Sequence, residues 1–259
     1  MGRIIAIANQ KGGVGKTTTA INLGASLAHL GMRTLLIDLD PQSNTGSGLG
    51  IVAGEGPSVY HVLMDEAQLV DVIQPTAMPN LFVAPASPDL AGAEVELVTA
   101  LAREYKLQRH LRPVVEQYDY LLIDCPPALG LLTINALTAA GSVLIPLQPE
   151  WFALEGLAQL RKTIDLVRSV TNPTLTLEGI VLTMFDVRNN LCHQVAAEVR
   201  QHFLGQVFET IIPRTVRLPE SSSHGKPILL YDNQSPGSEK YVNLAMELCS
   251  RHGRAGGAT

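Results

Sequence analysis

The densest chemical signal in the sequence is the run Asn9-Gln10-Lys11-Gly12-Gly13-Val14-Gly15-Lys16-Thr17-Thr18. Glycines let successive backbone N–H groups turn inward around a phosphate, the start of a following helix adds partial positive charge, and the Lys16 ammonium supplies a full one. The Thr17 hydroxyl suits a Mg2+ ion. The general phosphate-loop spacing G-x-x-x-x-G-K-[ST] asks for glycine at position 10, where this chain has glutamine. A second lysine, Lys11, stands ahead of the glycine pair instead. Because Lys16 already serves the phosphates, Lys11 has no evident work within its own loop. Two acidic segments complete the pattern: Leu35–Gln42, which holds Asp38 and Asp40, and Tyr120–Pro127, which holds Asp124. Carboxylates at the C-terminal ends of parallel strands project into the crevice where ligands bind. For Asp38 two readings stand side by side, an N-terminal helix cap or buried hydrogen-bonded carboxylate on one hand and a functional group on the other, since its side chain should point opposite to that of Leu39.

Such side chains need strand ends to present them. Short runs rich in Ile, Val and Leu recur at Arg3–Ala8, Arg33–Asp38, Leu81–Ala84, Tyr118–Asp124, Ser142–Leu147, Gly179–Met184 and Val207–Ile212. Continuous apolar runs of this length predict strands buried on both faces. Helical spacing falls between them, at Thr17–Leu30, Leu90–Arg103, Leu131–Ala140, Ala153–Val170, Leu191–Phe203 and Glu239–Arg251. The alternation predicts an α/β fold with a doubly wound, mainly parallel sheet flanked by helices. Two connections, Pro41–Pro57 and Pro213–Gly237, are expected as mobile or binding loops. No linker divides the chain, so a single domain is expected over residues 1–252, with a flexible tail at 253–259.

Composition narrows the function. With 259 residues, 46% of them hydrophobic and 17% charged, the chain reads as a compact globule. A net charge of −5 excludes a globally basic nucleic-acid binder. The charge is uneven, with 8 basic and 14 acidic residues in 1–150 against 11 and 10 in 151–259, which leaves room for a local basic face in the second half. Cys125, Cys192 and Cys249 form no C-x-x-C pair, so a disulfide framework and a zinc or iron–sulfur clip are not expected, and a reducing cytoplasm fits. The longest uncharged stretch, Cys125–Pro149, carries Pro126, Pro127, Gly130 and Pro146, which argue against a membrane span. Trp151 either lines a surface between subunits or packs against the fold, and packing is the preferred reading.

The segment Lys11-Gly12-Gly13-Val14-Gly15-Lys16-Thr17 resembles the deviant Walker A box of the ParA/MinD ATPase family. The segments Asp40-Pro41-Gln42-Ser43-Asn44, Glu150-Trp151-Phe152-Ala153-Leu154-Glu155-Gly156 and Ile212-Pro213-Arg214-Thr215-Val216-Arg217-Leu218 are similar to the ParA/Soj branch, the chromosome- or plasmid-partitioning ATPases. The resemblance implies a P-loop ATPase that uses ATP with Mg2+. Asp124 corresponds to the Walker B aspartate, which holds Mg2+ with Thr17, directly or through water. Asp40 orients the attacking water, and Lys11 reaches the phosphates of a second subunit in an ATP-dependent homodimer. Residues 11 to 18 hold the nucleotide, and Met184, Phe185, Pro213 and Arg214 are candidates to line the adenine pocket. Arg188, Arg217 and Lys226 are candidates for non-specific double-stranded DNA binding, with a ParB-type centromere-binding protein expected to accelerate an otherwise slow hydrolysis. The implied location is cytoplasmic and nucleoid-associated, without a membrane partner. The alternative is a MinD-like membrane-associated ATPase or a metabolic ATPase on the same scaffold. Against the membrane reading, Tyr241, Leu244, Ala245 and Leu248 form the stripe of a helix docked on the core rather than a basic membrane foot.

Overall fold

Strands and helices alternate along a computed structural model that describes residues 2–52, 54 and 56–254. The first strand, β1 (Arg3–Ile7), leads through the phosphate loop into α1 (Lys16–His29) and then β2 (Thr34–Asp38). Three short helices follow, α2 (Asn44–Ser47), α3 (Val59–Leu63) and α4 (Leu69–Val72), before β3 (Gln74–Pro75) and β4 (Leu81–Ala84). Next come α5 (Leu90–Glu96), α6 (Lys106–Leu111), β5 (Tyr120–Asp124), α7 (Leu131–Ala139), β6 (Ser142–Leu147) and α8 (Ala153–Val170). The chain closes with β7 (Thr176–Leu182), α9 (Asn190–His202), α10 (Arg217–Ser223), α11 (Ile228–Tyr231) and α12 (Pro236–Arg251).

The seven strands form one sheet in the order β3-β4-β2-β5-β1-β6-β7. Its pairings are parallel except that of β3 with β4, where Pro75 sits on the edge and needs no ladder donor. Strand alternation divides the apolar residues between two cores. Ala6, Leu35, Ile37, Leu121, Ile123 and Val143 face the layer of α3 and α5–α9. Ile5, Ile7, Leu36, Leu122, Leu144 and Val181 face α1, α11 and α12. Burying an aliphatic side chain of this kind contributes about 1.5–3 kcal/mol, which is why both faces of these strands read as apolar. On the second face Tyr241, Leu244, Ala245 and Leu248 are buried as a docked stripe, and the Tyr241 hydroxyl meets Thr19 Oγ1 of α1 at 3.2 Å. Among the described residues no helix is long and apolar enough to cross a membrane, and the uncharged run 125–149 instead turns through α7 and β6.

Four expectations need correction. The run 207–212 is not a strand of the sheet. It lies along β7 but makes only isolated bridges, Ile180 to Val207 and Phe185 to Pro213, because the Glu209 and Thr210 N–H groups donate to the Glu247 carboxylate at 2.9 and 3.0 Å. Neighbouring β7 begins three residues earlier than expected, and at Gly179 (φ +155°) the Phe208 ring occupies the place of a side chain, so that an added Cβ would lie 2.6 Å from it. The expected helix 90–103 stops at Glu96 and continues as a 3-10 turn through the β-branched Val98 and Thr99. Finally, 213–237 is not an open loop: it folds into α10 and α11, held by buried Leu218 and Ile228, and the Ile228 N–H donates to Asn22 Oδ1 of α1 at 2.7 Å. The proposed tail lies outside the described residues from 255 onward, while Arg254 bonds Asp119 at 2.8 Å.

Candidate nucleotide site

The site forms where β1, β2 and β5 end together. Register pairs Asp124 with both Ile7 and Asp38, so the three strand ends lie side by side and the loop after β1 is flanked by carboxylates. Asn9 anchors that loop: its side-chain amide donates to the Pro146 carbonyl of β6 at 2.7 Å, and its Oδ1 accepts from the Lys11 N–H at 3.0 Å. Thr183 Oγ1, just past β7, donates to the Val14 carbonyl at 2.8 Å. Gly13 and Gly15 take φ values of +74° and +86°, a backbone region in which a side chain is strained, and Gly15 caps α1. Lys16 therefore starts the helix with its side chain folded back over the loop, where Nζ donates to the Lys11 carbonyl at 3.3 Å. Burial pulls the Lys16 pKa down, with Asp124 working against that pull. An anion entering the loop would restore the missing opposite charge.

The acids differ in how they are used. Asp38 is fully buried and accepts two backbone bonds, from Asp40 N–H at 3.0 Å and Thr45 N–H at 3.1 Å. Of its two readings the structure supports the buried, hydrogen-bonded one, and burial together with nearby Asp124 raises its pKa well above the ordinary carboxyl range. Asp40 accepts from the Gln42 N–H at 3.0 Å, which shapes the turn before α2. Asp124 Oδ2 accepts from Thr45 Oγ1 at 2.8 Å, whereas its Oδ1 is buried and has no partner of hydrogen-bonding geometry among the described residues. Burial pushes the Asp124 carboxyl up to about 6, opposed by the Thr17 and Thr45 hydroxyls and by Lys16.

Two cavities meet at this point. One, about 260 Å³, is lined by Gly12, Gly13, Gly15, Lys16, Thr17, Thr18, Asp40, Asn44, Pro127 and Met184. The other, about 500 Å³ and mostly apolar, is lined by Met184, Pro213 and Arg214 together with Thr183, Thr215, Val216, Leu218, Pro219 and Tyr241. Both include Gly15, Thr18 and Met184, so a polar phosphate-sized space opens into an apolar one of the kind a base needs. Phe185 departs from its expected place. Met184 leaves β7 with a left-handed backbone (φ +49°), and the next ring turns into the core edge-on to His193, 5.1 Å away.

A divalent ion fits this donor set. An unpartnered buried carboxylate oxygen stands beside a threonine hydroxyl next to a phosphate-sized cavity, and Mg2+ is commonly held by one or two protein oxygens plus substrate phosphates. Among the described residues no cluster of three or more His, Cys, Asp or Glu could hold a metal unaided.

Residues 2–177 match an AAA-domain family profile. Over 255 residues the sequence is 58% identical to the chromosome partitioning protein ParA of Myxococcus xanthus, covering 97% of this chain and 89% of that one. The chain belongs to the ParA/Soj family of chromosome-partitioning ATPases. A second relative in this family, the sporulation initiation inhibitor protein Soj of Bacillus subtilis, is 56% identical over 96% of this chain and 99% of its own. Among solved structures, a cobyrinic acid a,c-diamide synthase from Mycobacterium smegmatis with bound ADP and magnesium superposes with a TM-score of 0.85 at 37% identity, covering 98% of this chain and 97% of that one.

In this ParA/Soj-family chain the signature lysine points away from its own loop. Lys11 Nζ forms an ion pair with the carboxylate of Glu150, both side chains half-exposed. Trp151 does not pack as expected: it is 73% exposed and Phe152 is 67% exposed, so two large apolar side chains stand bare next to that pair. The DNA candidates are spread over the outside. Arg188 makes two bonds to Asp186, both 3.0 Å, with its side chain 87% exposed. Arg217 opens α10 and pairs with Glu220 at 3.1 Å and Asp232 at 3.5 Å. Lys226 is exposed in the turn before α11. Sequence reasoning missed Asn44, Thr45, Pro127 and the α10 side of the apolar cavity. The carboxylates at 38 and 124 were legible, but nothing in residue type or spacing marks the threonine that bridges them.

Proposed function

We propose that this chain is an ATP-driven dimerising switch that binds DNA without sequence preference in its ATP state and releases it on hydrolysis, serving chromosome or plasmid partition. The observation that carries this reading is Lys11: a loop lysine turned outward, held only by a half-exposed carboxylate and flanked by bare Trp151 and Phe152, belongs to a surface that a second copy would cover. In this reading residues 11 to 18 cradle the triphosphate, with Lys16 neutralising it in cis and Lys11 reaching the partner's phosphates in trans. Met184, Pro213 and Arg214 border the base. Thr17 and Asp124 would hold Mg2+, which neutralises charge building on the phosphates during transfer. Asp40 orients the attacking water. Hydrolysis is slow in isolation and accelerated by a ParB-type partner, and the protein resides on the nucleoid. The presence of ADP and magnesium in the diamide synthase structure supports the nucleotide assignment.

Dimer closure would bring two copies of Arg188, Arg217 and Lys226 onto one side, where phosphate contacts bind without specifying sequence. Their ion pairs within one subunit are exposed and contribute little, so DNA phosphates can compete for the arginines. Co-sedimentation with plasmid DNA against anionic vesicles, with and without ATP, tests the reading directly. ATP-dependent pelleting with DNA alone is expected, and pelleting with vesicles alone would replace the reading by a membrane-associated one. In Arg188→Ala/Arg217→Ala, four lost phosphate contacts per dimer should flatten the slope of log K against log salt by about 3.6. An unchanged slope would move the DNA surface elsewhere.

A further inference from the structure

Thr45 makes two connections that its residue type did not announce. It is fully buried on α2, its hydroxyl donates to Asp124 Oδ2 at 2.8 Å, and its backbone N–H donates to Asp38 Oδ2 at 3.1 Å. Asp38 and Asp124 are register partners on adjacent strands, so the threonine spans two neighbouring buried carboxylates. Asp38 is itself fixed by a second bond, from the Asp40 N–H at 3.0 Å. The bridge thus rests on a bonded carboxylate on one side and meets, on the other, a carboxylate whose remaining oxygen has no partner of hydrogen-bonding geometry among the described residues, with the Thr17 hydroxyl close to the same group. The preceding residue, Asn44, lines the phosphate cavity, which ties the bridging helix to the nucleotide's location.

We propose that Thr45 is a positioning residue: by occupying Oδ2 of Asp124 it fixes the orientation of that carboxylate and leaves Oδ1 as the oxygen available to Mg2+. The proposal rests on the reading that Thr17 and Asp124 hold the ion. A carboxylate anchored through one oxygen presents the other in one orientation, whereas a carboxylate without its donor must be ordered at the moment the ion binds. Outer partners of this kind typically carry a 10–100-fold share of metal affinity.

Thr45→Val keeps the branched shape and removes only the hydroxyl. The measurement is binding of a fluorescent ADP analogue to the full chain as Mg2+ is titrated, with a parallel titration in EDTA and a melting curve for each variant. The Mg2+ midpoint of Thr45→Val should rise about 10–100-fold, while Thr45→Ser stays within about threefold of the wild type and nucleotide affinity in EDTA is unchanged. A merely structural role would lower affinity equally with and without Mg2+ and would not be rescued by serine. Either that result or an unchanged Mg2+ midpoint in Thr45→Val overturns the proposal. If the valine variant fails to fold, Thr45→Ala against Thr45→Ser makes the same comparison. A wild type with no Mg2+ response at all would instead overturn the metal assignment at Thr17 and Asp124, and the role of Thr45 with it.

Discussion

Buried ionisable groups sit at both ends of the sheet, and the two ends handle them in opposite ways. At the N-terminal end, Glu178 takes a bond from Ser142 Oγ at 2.6 Å and pairs with His252 Nε2 at 3.0 Å, and His252 Nδ1 meets the Tyr120 hydroxyl at 3.1 Å. At the C-terminal end, Asp38 and Asp124 lie side by side in register and Asp124 Oδ1 has no partner of hydrogen-bonding geometry among the described residues. Cavity size does not separate the two, since the N-terminal end borders a space of about 520 Å³ and the apolar cavity beside Met184 is about 500 Å³. Unmet hydrogen-bonding capacity does. A closed network fixes structure, while a buried acid with an idle oxygen is an energetic debt that a ligand can discharge. Two other buried side-chain atoms lack partners among the described residues, Glu94 Oε1 and Ser238 Oγ, and neither lies at a strand end. The Glu94 carboxylate occupies the place that a side chain on Gly130 would take at the start of α7, where a helix N-terminus tolerates negative charge.

If the contrast is right, variants at the C-terminal end lose function and keep the fold, and variants at the other end do the reverse. The largest effect is expected for Asp40→Ala, whose phosphate release should fall about a hundredfold or more while nucleotide binding and the ATP dimer persist. Normal turnover in this variant, or a monomer on size exclusion with ATP, would break the assignment. Next, Lys16→Ala should weaken ATP binding about a hundredfold, or about 2.7 kcal/mol, with an unchanged melting temperature. Calorimetric titration giving wild-type affinity contradicts the loop reading.

His252→Ala probes the opposite end. Leaving Glu178 Oε1 without its His252 partner should cost about 2 kcal/mol of folding stability and leave ATP turnover intact. Burial pushes the Glu178 carboxyl up, but the bonds from His252 and Ser142 outweigh it and hold the group below its ordinary value of 4.5. A depressed carboxyl stabilises the fold fully above pH about 4.5 and loses that contribution as pH falls through its lower native value. Denaturant midpoints should therefore drop on the acid side of 4.5 in the wild type, and Glu178→Gln should flatten that limb. Loss of turnover in His252→Ala with stability unchanged would erase the distinction between the two ends.

The smallest of these effects is expected at Gly12. A Cβ built there meets nothing within 4 Å among the described residues, so the first atom of a side chain has room within one subunit. A second copy approaching the loop would feel the added bulk of Gly12→Val, at about 1 kcal/mol or fivefold in the dimer dissociation constant. Lys11→Ala should act at the same step, sparing ATP affinity. Equal losses of ATP affinity in both variants, read by nucleotide titration, would place Lys11 in cis.

Legibility followed backbone demand. The phosphate loop could be read from the sequence because its geometry needs glycine at 13 and 15, in register between a buried strand and a helix. The 18-residue α8 fell on Ala153–Val170 as expected, since five turns give periodicity room to show. The short helices α2, α3, α4, α10 and α11 span four to seven residues each, about a turn or two, which is too little for a pattern to emerge. Long-range pairs were beyond reach as well: Lys11 and Glu150 lie 139 positions apart, and no local rule joins them. Phe185 stays out of the apolar cavity because the left-handed backbone of Met184 turns the next ring into the core, a conformation that residue type does not signal.

Trp151 is the chain's single tryptophan, and it stands largely in water beside the Lys11–Glu150 pair. Its indole is therefore a native optical probe of the face proposed to meet a second subunit. In the free chain its emission should be that of a hydrated ring, readily quenched by iodide or acrylamide. Covering that face would shift the emission to the blue and shield the ring from quencher, so assembly can be timed in a stopped-flow cell on unlabelled, unmutated protein.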